Sequence, residues 1–306
     1  MAVNLLFEVI TEITLPIVLM IGGGYVLQRR LALDVATLSR VTVYGTLPCL
    51  LVVSLATAPL PASEVRAVVL FTTGQFLALL ALGWIAAVVF RLPAELRPVL
   101  ALAVPFANVA NYGIPLVELG LGPAWVPHQA IIVAVLTVLI FVLAPVMLHT
   151  GAHDLRRSAA AILRTPVLPA VAVGLTLNVL DVPLPQFVEF PLRVVGGANT
   201  PVALIALGAM LATGKWAAAR GAVGLGVGLR LILAPALTWV ALTTFALPAG
   251  MNELFLIGVA APIGILLPIL CAEYGRQAGP ASAMVVVSTA ISPLAATVMV
   301  YLARAF

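Results

Sequence analysis

The sequence predicts an all-α polytopic membrane protein, with ten transmembrane helices arranged as two inverted five-helix repeats. Three observations predict it. Of 306 residues, 63% are hydrophobic and only 8% charged, with a mean hydropathy of +1.21, whereas soluble domains carry about 25% charged residues. Prolines recur at an offset of 153, half the chain length: Pro16 and Pro169, Pro48 and Pro201, Pro115 and Pro268, Pro127 and Pro280, with Gly122 and Gly275 at the same spacing. Two apolar runs are interrupted near their centres, by "NVANYGIP" (108–115) and "APIGILLP" (261–268).

A bilayer core of about 30 Å takes about 20 apolar residues per helix, and cuts at charges and Pro/Gly clusters give ten such runs. Span 1 (5–27) follows an N-terminus with no basic leader, carries Glu8 and Glu12, and reads as a span in place of a cleaved signal. It stops at Arg29 and Arg30, and span 2 (37–57) follows, with Arg40 near its cytoplasmic end, placed to snorkel. Span 3 (65–90) stops at Arg91, span 4 (98–121) starts after Arg97, and span 5 is 124–148. Arg156, Arg157 and Arg164 mark the loop before span 6 (161–180) and span 7 (187–213). Lys215 and Arg220 precede span 8 (221–246), and Arg276 separates span 9 (252–273) from span 10 (280–303).

The basic residues give the orientation. Loops after the odd-numbered spans hold ten Arg or Lys, against Arg66, Arg193 and Arg304 on the other side. Positive charge stays cytoplasmic, so both termini are expected on the non-cytoplasmic side. Each half, 1–153 and 154–306, holds five spans. Five is odd, so the second half enters the membrane from the opposite face and the repeat is inverted. Interrupted helices at equivalent positions of inverted repeats mark the binding site of secondary transporters.

Spans 4 and 9 are the interrupted pair. Proline removes a backbone donor and glycine tolerates an open turn, so each span should break near its middle. A break leaves unpaired N–H groups and a positive dipole end, which attract carboxylates and other anions. Asn108 and Asn111 supply donors and acceptors beside the first break.

Other polar residues each carry two open readings. Arg230 lies roughly 15 Å into span 8 at about 1.5 Å per residue; it either pairs with Glu118 or Glu273 or attracts the anion directly. Glu118 is a proton carrier or caps the second half-helix, and Glu273, near Arg276, reads as structural. Asn199 and Thr200, with Thr46 at the position equivalent to Asn199, line the path or satisfy backbone groups freed by proline. Gly224 and Gly228 stand at GxxxG spacing, which reads as close helix packing. His128, His149 and His153 sit near span ends and read as solvated. Cys49 and Cys271 lie in apolar runs and read as packing residues; no cofactor or metal-ligand spacing is present.

Composition and motifs exclude several classes. No basic run with aromatics suggests nucleic acid. No HExxH or GxSxG motif suggests a hydrolase, and no histidine stands beside Ser288 or Ser292 as a base. A cation–proton antiporter needs paired carboxylates at the crossing, where the sequence has none. A sodium-coupled carrier needs an oxygen cage that the sequence does not locate. A receptor that binds without transporting is separated from a carrier by flux alone.

At "NVANYGIPLVELGLG", "RLILAPAL", "APIGILLPILCAEYG" and "AMVVVSTAISPL", the chain resembles the auxin efflux carrier family of organic-anion carriers. The resemblance covers all ten spans. It implies a scaffold of spans 1, 2, 6 and 7 that dimerises, and a mobile transport domain of spans 3–5 and 8–10 in which spans 4 and 9 cross. It implies residence in the plasma (inner) membrane and alternating access for a small organic anion. By the same resemblance, the substrate-contacting asparagine falls on Asn108, the first break on Gly113 and Pro115, and the second on Pro262. The site expected around them comprises Asn108, Asn111, Tyr112, Gly113, Pro115, Pro262, Ile263, Gly264 and Pro268. Ile263 stands where plant members tend to carry a polar residue, and the long cytoplasmic loop of many plant members is absent. Both departures favour a small carboxylate, such as malonate or malate, over auxin itself.

Overall fold

Where no water reaches the backbone, a helix satisfies every donor and acceptor within itself, and the apolar runs fold accordingly. The computed structural model describes residues 2–148, 166–214 and 220–305. Among them the chain is all-helical, without a strand. In chain order the helices are α1 (Asn4–Leu31), α2 (Val35–Thr57), α3 (Ala62–Val89), α4 (Arg97–Ala103), α5 (Ile114–Leu121), α6 (Pro123–Leu148), α7 (Val167–Val179), α8 (Gln186–Thr213), α9 (Arg220–Thr244), α10 (Met251–Val259), α11 (Leu266–Glu273) and α12 (Ala278–Arg304).

Seven of these, 23 to 28 residues long, are long and apolar enough to cross a bilayer: α1, α2, α3, α6, α8, α9 and α12. The remaining three expected spans look different. Span 4 is two short helices, α4 and α5, and span 9 is likewise α10 and α11. Span 6 appears as the 13-residue α7, and the start of its apolar run lies outside the described residues. So do His149, His153, Arg156, Arg157, Arg164 and Lys215.

Several prolines are preceded by the same local widening of the helix, whereas Pro145, Pro191 and Pro293 sit inside α-helix without it. Among the described residues four wide π-turns occur, at Val9–Thr14, Thr42–Thr46, Val109–Gly113 and Leu229–Leu233. Each ends two residues before a proline: Pro16, Pro48, Pro115 and Pro235. Proline has no N–H for the preceding turn, and its ring crowds the carbonyl four residues back. Widening that turn relieves the crowding and keeps the helix intact.

Close contacts hold one group of helices together. α1 packs along the second half of α8, and the second half of α2 along α7. A Cβ at Gly208 would sit 1.9 Å from the Ile21 carbonyl oxygen, and one at Gly24 would sit 2.1 Å from that of Ile205. In the other pair a Cβ at Gly174 would stand 2.8 Å from Leu55 Cβ. Between the pairs, the Thr46 hydroxyl donates to Asn199 Oδ1 across 3.0 Å, joining residues 153 apart.

Glycine spacing misleads in α9. Nothing lies within 4 Å of a Cβ built at Gly224 or Gly228, so the GxxxG pair makes no close contact. Gly226 does, with Met284 Sδ 2.9 Å from its Cβ position.

Between α1 and α2 the chain turns sharply at Ala32, with φ 49°, and Asp34 caps α2. Its carboxylate accepts from the Ala36 N–H at 3.0 Å and from the Thr37 hydroxyl at 2.6 Å. Those two bonds, the Thr37 hydroxyl first, hold the carboxyl below the ordinary aspartate value. Large apolar side chains point outward along the long helices, among them Phe187 (81% exposed), Ile232 (73%) and Leu294 (70%). Such a surface suits lipid, and the protein is integral to a membrane.

Candidate functional site

Pro105 and Pro262 stand just past the ends of α4 and α10, where helical hydrogen bonding stops, and the two broken runs meet beyond them. Ala107 and Ile263 form an antiparallel bridge. The Asn108 N–H donates to the Pro262 carbonyl at 2.7 Å, and the Gly264 N–H to the Phe106 carbonyl at 2.8 Å. Backbone groups orphaned by one break are therefore satisfied by the other. α5 packs on α10, and α4 on α11, so the two broken runs pack half against half in antiparallel order.

Asn108 opens the turn that follows. Its Oδ1 accepts from the Asn111 N–H at 3.3 Å, and its carbonyl accepts from Tyr112 and Gly113. Asn108 and Asn111 are 5% and 6% exposed, and Tyr112 is fully buried. Gly113, Pro115, Pro262, Ile263 and Gly264 are buried too, while Pro268 is half-buried. A Cβ at Gly113 would meet Gln129 Nε2 at 2.7 Å, and one at Gly264 would meet Phe106 Cε1 at 2.6 Å. A side chain at Gly264 would have to displace the Phe106 ring, and one at Gly113 only the end of the Gln129 side chain.

Two residues that sequence reasoning missed complete the framework. Gln129 donates from Nε2 to the Val109 carbonyl at 2.9 Å, and Ser288 Oγ accepts from the Ile263 N–H at 3.1 Å. The only signal for Gln129 was an uncharged amide in an apolar run, which does not reveal its depth. Among the described residues, Asn108 Nδ2, Asn111 Oδ1, Gln129 Oε1 and Asn199 Nδ2 are buried with no protein partner. Unpaired groups of this kind are costly unless a ligand or water meets them. The turn at Val109–Gly113 packs against the half of α8 that begins at Asn199.

Arg230 corrects an expectation. It is 2% exposed, and its guanidinium forms no ion pair with Glu118 or Glu273. It donates instead to three carbonyls: Nε to Ala261 at 3.0 Å, Nη1 to Val104 at 3.1 Å and Nη2 to Val259 at 3.1 Å. These carbonyls end α4 and α10, where the breaks left them without helical partners. Glu273 is exposed. Glu118 accepts from the Thr200 hydroxyl at 2.5 Å, tying α5 to α8. Thr14 and Thr297 link α1 to α12 in the same manner at 2.8 Å.

His128 is a second correction. It is 7% exposed and not solvated; its Nε2 lies 2.8 Å from Glu64 Oε2, beside the Trp125 ring. A small cavity of about 30 Å³ lies behind the meeting point, lined by Thr72, Pro105, Gln129 and Arg230 among others. A larger groove of about 870 Å³ runs between α3 and α9. Its walls are mostly apolar; Gln75 lines both spaces and donates to Thr238 at 2.7 Å.

A family model described as membrane transport protein matches residues 9–160 and 154–300, nearly the whole chain. No curated protein matches it.

Proposed function

We propose that this chain, which belongs to the membrane transport protein family of the auxin efflux carriers, carries small organic anions by alternating access at the meeting point of its two breaks. A membrane transporter is what the family establishes, and the family is not one of enzymes; the substrate class and mechanism are our reading. The observation that carries it is the bridge between Ala107 and Ile263, beside the buried, unpaired amide of Asn108. Two helices start there, through the 109–113 turn and at Leu266, and their N-terminal ends favour negative charge. An amide N–H donor and two positive dipole ends suit a carboxylate.

The architecture we propose is ten spans in two inverted repeats. In support, the packing contacts shift by 153 residues: Ile21 against Gly208 becomes Gly174 against Leu55. Thr46 and Asn199, one such pair, touch each other as residues on a two-fold axis do. Spans 1, 2, 6 and 7 form the scaffold, through which two copies associate, and the rest move as the transport domain. Glu118–Thr200 and Thr14–Thr297 join the two parts in this conformation. The basic loops favour both termini on the non-cytoplasmic face, and the family resemblance favours the plasma membrane. A cation–proton antiporter is disfavoured, because no carboxylate stands within 108–115 or 261–268.

The test is flux. Purified protein in liposomes should take up one or more labelled carboxylates from a panel including malonate, malate and an indole carboxylate. Saturable binding without uptake would make it a receptor, and transport of cations alone would reject the anion site.

A further inference from the structure

We propose that Arg230 is a built-in replacement for a coupling cation, so that this carrier binds no sodium or other alkali ion at its centre. The proposal rests on the carrier reading above and deepens it. Where helices break inside a membrane, their C-terminal carbonyl ends carry partial negative charge, and in sodium-coupled carriers such ends coordinate the ion. Here α4 and α10 both end at the meeting point. The carbonyls of Val104, Val259 and Ala261 converge on one buried guanidinium, all within 3.0–3.1 Å. No carboxylate among the described residues pairs with Arg230. Its charge is balanced by carbonyl dipoles, as a bound metal ion's would be.

Arginine suits the task for a physical reason. Its planar fork directs donors to separate acceptors at once, and it stays charged in any environment a protein offers. Tethered to α9, the charge does not exchange with solvent, so no ion gradient is engaged through it. Neutralising both carbonyl ends has a second effect. The positive N-terminal ends beyond the breaks are left uncancelled, which favours an anion on that side.

Thermal unfolding of purified protein in detergent tests this without any substrate, and so separates it from failure of the carrier reading. The wild type should unfold at the same temperature in sodium, potassium, lithium and N-methylglucamine chlorides. Arg230→Lys keeps the charge and should be more stable than Arg230→Gln, which keeps donors without it. Arg230→Ala should be destabilised and regain stability saturably with methylguanidinium below denaturing concentrations, which should leave the wild type unaffected. If Arg230→Ala does not fold, the Lys and Gln pair decides. Equal stability of that pair, absence of methylguanidinium rescue in folded Arg230→Ala, or a saturable rise in wild-type stability with sodium would each overturn the proposal. In liposomes, wild-type uptake should be unchanged when N-methylglucamine replaces sodium, and sodium-dependent uptake would overturn it equally.

Discussion

Replacing Asn108 separates two roles that one side chain performs. Its Oδ1 accepts from the buried Asn111 N–H at 3.3 Å, and its Nδ2 is buried without a protein partner. Asn108→Ala removes both. Leaving the Asn111 N–H unsatisfied costs about 1–3 kcal/mol of stability. Losing a hydrogen bond to a charged carboxylate costs about 1.5–3 kcal/mol of binding. At about 1.4 kcal/mol per tenfold, that is a loss of roughly 10- to 100-fold in affinity. Asn108→Asp keeps an acceptor for Asn111 while exchanging the donor for a like charge. Its unfolding temperature should therefore stay nearer the wild type than that of the alanine variant, and its anion affinity should fall at least as far. The assays are thermal unfolding in detergent and uptake as a function of substrate concentration in liposomes. Wild-type uptake and affinity in a monodisperse Asn108→Ala sample would refute the assignment of that amide to the substrate.

Other outcomes follow from contacts outside the breaks. Gly208→Ala places a Cβ 1.9 Å from a backbone oxygen, so α1 and α8 must separate, at about 1–3 kcal/mol or more. Gly224→Ala, with open space around it, should be neutral or slightly stabilising, and unfolding temperatures compare the two. Thr200→Val removes the partner of Glu118 across the α5–α8 contact. It should raise labelling of an Asn111→Cys variant from the non-cytoplasmic face severalfold; unchanged labelling would show that the bond is no latch. Asp34, held below its ordinary value by Thr37 and the Ala36 N–H, supports the α1–α2 turn above the usual carboxylate range. That support is lost as pH falls through the lowered value. Exchange of the Ala36 amide should accelerate there in the wild type, and already at neutral pH in Asp34→Ala.

The sequence revealed the breaks because proline and glycine act locally, through a missing donor and a missing side chain. It did not reveal their register. Proline spacing equates Pro115 with Pro268, 153 apart, whereas the bridge joins Ala107 to Ile263, 156 apart. The extra residues lie in the first half, where the chain winds the wide turn at Val109–Gly113 before Pro115. The second half enters α11 at Leu266 directly. Arg230 was legible as a buried charge but not as a carbonyl ligand, because backbone acceptors freed by tertiary breaks leave no mark in residue types. Its nearest carboxylates in the sequence reading, Glu118 and Glu273, were the wrong partners for the same reason. Gln129 and His128 sit close to a span end by count. Their burial depends on α3 and the 109–113 turn folding over them, which no periodicity in their own helix records. Gly226 packs where Gly224 and Gly228 do not, since spacing alone cannot say which face of a helix looks inward.

Alternating exposure of the meeting point is the central claim, and cysteine labelling tests it most directly. With Cys49 and Cys271 replaced by alanine, single cysteines at Asn111 and Ile263 would be probed in oriented vesicles by a membrane-impermeant thiol reagent. Each should react from one face of the membrane at a time, and a transported carboxylate should slow the reaction at both positions together. Labelling from neither face, or labelling that every carboxylate in the transport panel leaves unchanged, would contradict a carrier that binds its anion between the two breaks.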